Sequence, residues 1–364
     1  MSARAQMFGR LLLMFAAVCA LVFHPSAFAQ DRAGSNTPAQ VTQAIERVRA
    51  SPDNEDALTQ ALALGGTLLR DGRFADASEL FAALASYRPR HPEILYGAAL
   101  ATFNAGRAAQ AEGFARRAVE AAQATVQQTT AAGGSPSAGR ERVADALVLL
   151  GVVLAVRGDD AGALKSVKEA VRLAPTNFDA QLALGRALFG VGDDAGATLA
   201  FRAAVALKPA DVSALFYLAT ALEHGGDADA ALATYRELIA RKPGSADGHL
   251  GLGVLLIKRG GMDEGLRELR RALEINPNLY EARITLGRTL VAEGHAEESI
   301  EHLRRAAELA PKNPEPHYQL AIAYRRLGRK DEAAAESIIV KRIHETRRGD
   351  GTIQASSPAA PPDK

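Results

Sequence analysis

The sequence has no tryptophan, a single cysteine and few aromatic residues, and these absences exclude several architectures. Aromatic residues make up only 5% of the 364 positions, so a domain built around one large aromatic core is not expected. The cysteine, Cys19, lies within an N-terminal apolar run. The rest of the chain therefore has no thiol for a disulfide or for thiolate chemistry, and packing alone has to stabilise it.

An excess of charge of one sign is also absent. The chain has 43 basic and 42 acidic residues, a formal net charge of +1, and no long run of like charges. A general nucleic-acid binder carries a basic field, so nucleic acid is not expected as a partner. The hydrophobic fraction of 48% comes largely from alanine and leucine, which are strong helix formers. The composition therefore predicts an all-α protein.

Residues 1–29 have the pattern of a secretory signal peptide. Arg4 and Arg10 precede an apolar run at residues 11–23. As a helix rising about 1.5 Å per residue, this run is too short for a bilayer core of roughly 30 Å. Residues 27–29, Ala-Phe-Ala, then supply the small side chains that a signal peptidase reads. We therefore expect an exported protein, either periplasmic in a Gram-negative-type envelope or secreted.

Two alternatives concern this end of the chain. Cleavage is expected before Gln30, but the same segment would serve as an N-terminal anchor if it were retained. Lipid attachment at Cys19 is disfavoured, because Val18 before it is not a small residue and apolar sequence continues after it. The sequence leaves cleavage and retention of the segment open.

An internal repeat organises the rest of the chain. The pair Leu150-Gly151 recurs at a constant spacing of 34 residues as Leu184-Gly185, Leu218-Ala219, Leu252-Gly253, Leu286-Gly287 and Leu320-Ala321. Each pair is followed by a glycine-containing turn, a second apolar stretch with a small residue such as Ala197, and, in most copies, a closing proline such as Pro209. Each period is therefore predicted to be a hairpin of two helices, with small residues where the two backbones approach closely. No single hairpin can bury its apolar face, so neighbouring hairpins must stack.

The repeat phase divides the chain into six segments. They are a signal peptide (1–29), an N-terminal linker with a capping helix (30–57), hairpins one and two (58–125), a flexible insertion (126–143), hairpins three to eight (144–347) and a disordered tail (348–364). The insertion contains Gly133-Gly134-Ser135-Pro136, which predicts a mobile loop after an extended helix. The tail is rich in proline, which is typical of disorder.

The repeat pattern resembles the tetratricopeptide repeat (TPR) family across residues 58–347. The resemblance implies an all-α solenoid, a right-handed superhelix whose first helices line a concave groove for proteins or peptides. The tryptophan usual in the first helix is absent, and its place is taken by Leu147, Gln181, Leu215, His249, Arg283 and His317. Chaperone-binding members hold a C-terminal carboxylate with Lys, Asn and Arg. Apolar residues such as Val148 and Leu182 stand at those places here, so that ligand is disfavoured.

By the same resemblance, a fixed set of positions in each first helix faces the groove. The residues there that we expect to bind a partner are Tyr96, Phe103, Asn104, Arg186, Phe189, Phe216, Thr220, His224, Arg288, Tyr318 and Arg325. Aromatic and arginine side chains are the types that anchor protein interfaces. The alternative for the aromatic residues is packing between adjacent hairpins.

No motif for catalysis, metal binding or cofactor binding is present. The chain has no His-Glu-x-x-His pair, no phosphate loop and no Gly-x-Ser-x-Gly turn, and its histidines are scattered over different hairpins. We therefore expect no cofactor and no enzyme activity. The expected function is that of a protein–protein interaction scaffold in the cell envelope. The alternative is a binding or regulatory subunit of an envelope polysaccharide-modifying, glycan-modifying or secretion system. The sequence does not indicate the oligomeric state.

Basic residues gather towards the C-terminus. They are Arg325, Arg326, Arg329, Lys330, Lys341, Arg342, Arg347 and Arg348. Basic residues at a final helix end would solvate the open end of the solenoid and suit the helix dipole. The alternative is docking to anionic lipid headgroups, and membrane contact is expected only here.

Overall fold

The computed structural model describes the backbone of residues 37–355 and the side chains of residues 38–346. Seventeen α-helices and no strand occupy this part of the chain. The expected signal peptide, residues 1–29, lies outside the described residues. The first helix, α1 (Thr37–Ala50), precedes the repeats and lies within residues 30–57, where the sequence predicts a linker with a capping helix.

The other sixteen helices of the described range form eight hairpins. The first helices are α2 (Glu55–Arg70), α4 (Pro92–Asn104), α6 (Ser137–Val156), α8 (Phe178–Gly190), α10 (Val212–His224), α12 (Ala246–Lys258), α14 (Tyr280–Ala292) and α16 (Glu315–Arg326). The second helices are α3 (Phe74–Tyr87), α5 (Ala108–Ala131), α7 (Asp160–Leu173), α9 (Asp194–Leu207), α11 (Ala228–Arg241), α13 (Met262–Ile275), α15 (Ala296–Leu309) and α17 (Lys330–Ala355). The predicted architecture of paired helices is thereby confirmed.

The turns inside the hairpins have the predicted chemistry. Before α9, Gly192 has a φ of 85°, a left-handed conformation that glycine adopts without steric cost. The carboxylate of Asp193 then accepts a hydrogen bond of 2.8 Å from the backbone N–H of Gly196. Asp159 and Asp227 cap α7 and α11 in the same way. These bonds satisfy N–H groups that have no partner within the helix.

The closing prolines end the second helices as expected. Lys208, just before Pro209, has φ −131° and ψ 79°, and Asn276, just before Pro277, has φ −131° and ψ 93°. A proline ring clashes with a helical conformation of the residue before it, so the helix has to stop there. The proline thus sets the boundary between one hairpin and the next.

Close backbone contact joins the two helices of the sixth hairpin. A Cβ added to Gly253 in α12 would lie 2.9 Å from the carbonyl oxygen of Gly265 in α13, and a Cβ added to Gly265 would lie 2.8 Å from the carbonyl oxygen of Gly253. In the fourth hairpin the space beside Gly185 is filled instead by the ring of Phe201. The small residues that recur in the sequence are therefore needed where the helices cross.

The sequence predicted a mobile loop at residues 126–143, and the structure corrects this, because most of the insertion is helical. α5 continues to Ala131 and α6 begins at Ser137, so only residues 132–136 link them. No glycine or proline precedes Gly133 in the insertion, and nothing therefore stops α5 earlier. The insertion mainly lengthens the helices on either side of a short turn.

The predicted tail also begins too early. α17 extends to Ala355, so residues 348–355 are helical rather than part of a disordered tail. Residues 330–357 contain no proline that would end this helix. Residues 356–364 lie outside the described residues.

The described residues form two compact units, divided between Ala221 and Leu222 near the end of α10. In the N-terminal unit, one apolar core contains buried residues from α1 to α8. In the C-terminal unit, one apolar cluster surrounds Leu269 and Leu286, and another surrounds Leu303. Stacked hairpins build each core, as expected for repeats that cannot bury their apolar faces alone.

We predict that Gly253→Ala destabilises the C-terminal unit by about 1–3 kcal/mol, because the added methyl group has to push the Gly265 carbonyl away. Urea unfolding followed by circular dichroism measures the change. The control is Gly113→Ala in α5, where an added Cβ meets nothing within 4 Å. That change should stabilise the helix by up to about 1 kcal/mol. Equal effects of the two substitutions would contradict the close-approach argument.

Candidate functional site

The first helices form a continuous layer in each unit. In the N-terminal unit α2, α4, α6 and α8 contact one another in succession, and in the C-terminal unit α12, α14 and α16 do so. Within either unit, no comparable contact joins the described second helices of neighbouring hairpins. The first helices therefore lie closer together than the second helices. We call the solvent-facing side of this layer the first-helix surface.

Three of the residues expected to bind a partner are buried. Arg186, Phe189 and Thr220 are 6%, 6% and 5% exposed. The guanidinium carbon of Arg186 lies 5.5 Å from the ring centroid of Tyr217, and that ring stacks on Phe201 with centroids 5.5 Å apart. The position of Arg186 in the repeat does not reveal that Tyr217 lies against it. Their assignment to an open groove is therefore corrected, because they are packed inside the protein.

Four other expected residues of the N-terminal unit are partly buried. Tyr96 and Phe103 in α4 pack against the apolar core. Phe216 in α10 meets Tyr217 edge to face, with ring centroids 5.9 Å apart. The side-chain amide of Asn104 donates to the carbonyl of Leu100 at 2.9 Å. The packing alternative for these aromatic residues thus holds in part, since each of them is partly buried.

The C-terminal unit presents its expected residues more openly. Arg288 in α14 and Arg325 in α16 are exposed, and Tyr318 in α16 is 52% exposed. His224, at the end of α10, is exposed as well. Arg288, Tyr318 and Arg325 are therefore all exposed on two neighbouring first helices of one unit.

Two models of known families match the sequence. A tetratricopeptide repeat model matches residues 62–126, 119–178 and 182–246. The chain belongs to the TPR family. A second model, the middle TPR-like domain of cilia and flagella-associated protein 70, matches residues 215–344. The resemblance read from the repeat is thereby confirmed, and the chain has the architecture of a TPR-type protein-interaction scaffold.

Solved structures share the TPR fold with this chain. The Cut9–Hcn1 hetero-tetramer of the APC/C has a TM-score of 0.57 at 14% identity, over 79% of this chain and 53% of that one. PilF of Pseudomonas aeruginosa has a TM-score of 0.51 at 18% identity, over 60% of this chain and all of that one. At these identities the likeness concerns the fold alone. No curated protein matches the sequence.

The basic cluster near the C-terminus of this TPR chain is largely engaged. Arg329 pairs with Glu332 at 2.5 Å and lies over the ring of Tyr324. A guanidinium nitrogen of Arg326 donates to the backbone carbonyl of Val291. Lys341 lies in the middle of α17 rather than at a helix end, because that helix is longer than predicted. The last turn of α17 contains no basic residue, so the expectation that these residues lie at a final helix end is wrong; Arg325 and Arg326 lie instead in the last turn of α16.

Neither a metal centre nor a membrane span is found in the described part of the chain. No three histidine, cysteine, aspartate or glutamate side chains there are placed to hold a metal ion. Among the same residues, no helix combines the length and apolarity needed to cross a bilayer.

One set of polar contacts was not predicted from the sequence. These contacts involve the position in the first helix of each hairpin where the family usually has tryptophan. Gln181 donates to the carbonyl of Pro175 at 2.9 Å, and His249 Nε2 lies 3.0 Å from the carbonyl of Pro243. In both cases the proline is the one that closes the preceding hairpin. The recurrence of polar residues at this place was visible in the sequence, but their partners were not.

His249 and Arg283, at this position in two successive hairpins, also contact the second helix of their own hairpin. Nδ1 of His249 lies 2.6 Å from Glu268 Oε2. In the next hairpin Arg283 contacts Nδ1 of His302 at 3.2 Å. Burial, and next the Arg283 guanidinium, lower the pKa of His302 below its ordinary value. The neutral ring suits this contact, because its Nδ1 can then accept a hydrogen bond from Arg283.

We predict that His249→Ala destabilises the C-terminal unit by about 1–3 kcal/mol, because the buried ring and its contacts with the Pro243 carbonyl and the Glu268 carboxylate are lost. His249→Gln should cost less, since Gln181 makes the equivalent bond to a proline carbonyl in the fourth hairpin. Denaturant unfolding of the two variants gives the comparison. Equal losses would show that ring packing, rather than this hydrogen bond, stabilises the junction.

Proposed function

We propose that this TPR protein is an exported, non-catalytic scaffold of the cell envelope that binds partner polypeptides on its first-helix surface. Its export is supported by the signal-peptide pattern of residues 1–29 and the absence of cysteine after Cys19. A chain without later thiols tolerates an oxidising compartment, because no wrong disulfide can form in it.

One observation carries the binding proposal: three exposed side chains of the interface type belong to two neighbouring first helices of the C-terminal unit. Tyr318, in the first half of α16, is 52% exposed, and Arg288 and Arg325, towards the C-terminal ends of α14 and α16, are exposed as well. On the second helices, arginines are often paired within the chain, as Arg270 is with Glu298 at 2.8 Å. An aromatic ring next to unpaired guanidinium groups is the composition of a protein-binding hot spot.

Export is tested by expressing the whole chain with a C-terminal tag in a Gram-negative host. The tagged protein should appear in the periplasmic fraction, and N-terminal sequencing should begin at Gln30. Recovery in the membrane fraction with residues 1–29 still attached would favour the anchor instead. Recovery in the cytoplasm would overturn export.

Partner binding is tested by affinity capture from envelope extract with the chain from Gln30 to Lys364, followed by mass spectrometry. We expect a stoichiometric partner that is lost with Tyr318→Ala combined with Arg288→Ala, since both side chains are on the first-helix surface. Arg267→Ala in α13, an exposed second-helix residue, is the matched control and should retain the partner. Capture that is indifferent to the first-helix changes would overturn this surface as the binding site.

A further inference from the structure

We propose that Arg288 and Arg325 bind an acidic segment of a partner polypeptide, an internal stretch with two carboxylate side chains beside an apolar one. This inference rests on the proposed function and adds the chemistry of the partner. It concerns the C-terminal unit alone.

The two arginines lie on neighbouring helices. α14 contacts α16, and Arg326 donates to the carbonyls of Val291 and, at 3.4 Å, Ala292. The last turns of the two helices are therefore side by side. Arg288 lies within one helical turn of Val291, and Arg325 directly precedes Arg326, so both guanidinium groups belong to the same end of the first-helix surface.

Neither arginine is neutralised by a carboxylate of the chain. Among the described residues Arg288 has no hydrogen bond or ion pair, and Arg325 donates from Nε to its own helix, to the carbonyl of Ala321 at 3.0 Å. Arg283 in α14, by contrast, has the Glu301 carboxylate at 4.0 Å. The first-helix surface therefore keeps two positive charges for an outside partner.

Apolar side chains accompany these charges. Tyr318, Ile322 and Arg325 follow one another at spacings of four and three residues, which places them on one face of α16. Ile284 and Arg288 share a face of α14 in the same way. Ile284 and Ile322 are only partly buried. The surface thus offers a short apolar strip that ends in two guanidinium groups.

The spacing of the arginines selects an internal segment rather than a chain end. Packed helices lie about 8–10 Å apart, and an extended chain advances about 3.3 Å per residue. Carboxylates two or three residues apart would therefore each meet one arginine, whereas a chain end supplies a single terminal carboxylate. Glu315, in the first turn of α16, would repel an acidic segment from the opposite end of the surface.

The test uses short random peptides, displayed without a free C-terminus and selected on the chain from Gln30 to Lys364. Acidic residues next to aromatic or aliphatic ones should be enriched. A synthetic, C-terminally amidated copy of a selected peptide should bind Arg288→Glu/Arg325→Glu about tenfold or more weakly than the native chain, because both attractive charges become repulsive. Arg202→Glu/Arg267→Glu makes the same change of net charge on second helices and should leave binding unchanged. Circular dichroism melting checks that both variants fold.

The other outcomes separate the two proposals. Selected peptides that are neutral or basic, and that lose binding with Tyr318→Ala, would overturn the acidic partner and leave the binding surface in place. Enrichment only when the same peptides are displayed with a free C-terminal carboxylate would overturn the internal segment. Equal losses in both double variants would point to general charge effects and also overturn the arginine pair. Failure to enrich any peptide, together with failed partner capture, would overturn the proposed function itself.

Discussion

The small residues at the helix crossings of the hairpins are the constraint on which the rest of this TPR chain depends. At Gly253 and Gly265 each backbone carbonyl occupies the space that a Cβ of the other residue would need. Beside Gly185 the same space is filled by the ring of Phe201 from the second helix, so a glycine admits either a backbone or a large side chain at the crossing. The stack then builds the apolar cores, which explains how a chain with few aromatic residues and no later cysteine folds.

Polar contacts at the hairpin boundaries supplement this apolar packing. The closing prolines end the second helices. The backbone carbonyls of these prolines are then available to the next hairpin, where Gln181 and His249 contact them. Each of these carbonyls thereby gains a partner from the residue that replaces the usual tryptophan in the following hairpin. The same junction therefore sets the end of one hairpin and the position of the next.

The first and second helices differ in how far their surface charges are paired within the chain, and this difference bears on partner binding. The second helices carry ion pairs between hairpins, such as Arg236 with Glu264 at 3.3 Å, that neutralise part of their surface charge. The first helices contact one another directly, and Arg288 in their layer has no such pair. Exposed pairs contribute little stability, but they decide which charges stay available to a partner. The arrangement suits a protein that binds other chains along its first helices.

The sequence by itself determined the period, the hairpins, their glycine turns and their proline ends, because these depend on local backbone preferences that recur every 34 residues. It misjudged the extents of the insertion and of the tail, where no proline stops α5 or α17 and both helices continue. It also could not rank the candidate binding residues. Arg186 and Arg288 occupy the same place in their repeats, yet one is 6% exposed against Tyr217 and the other faces solvent. Only the tertiary structure decided between them, because exposure depends on which neighbours cover a side chain, and those neighbours differ from hairpin to hairpin.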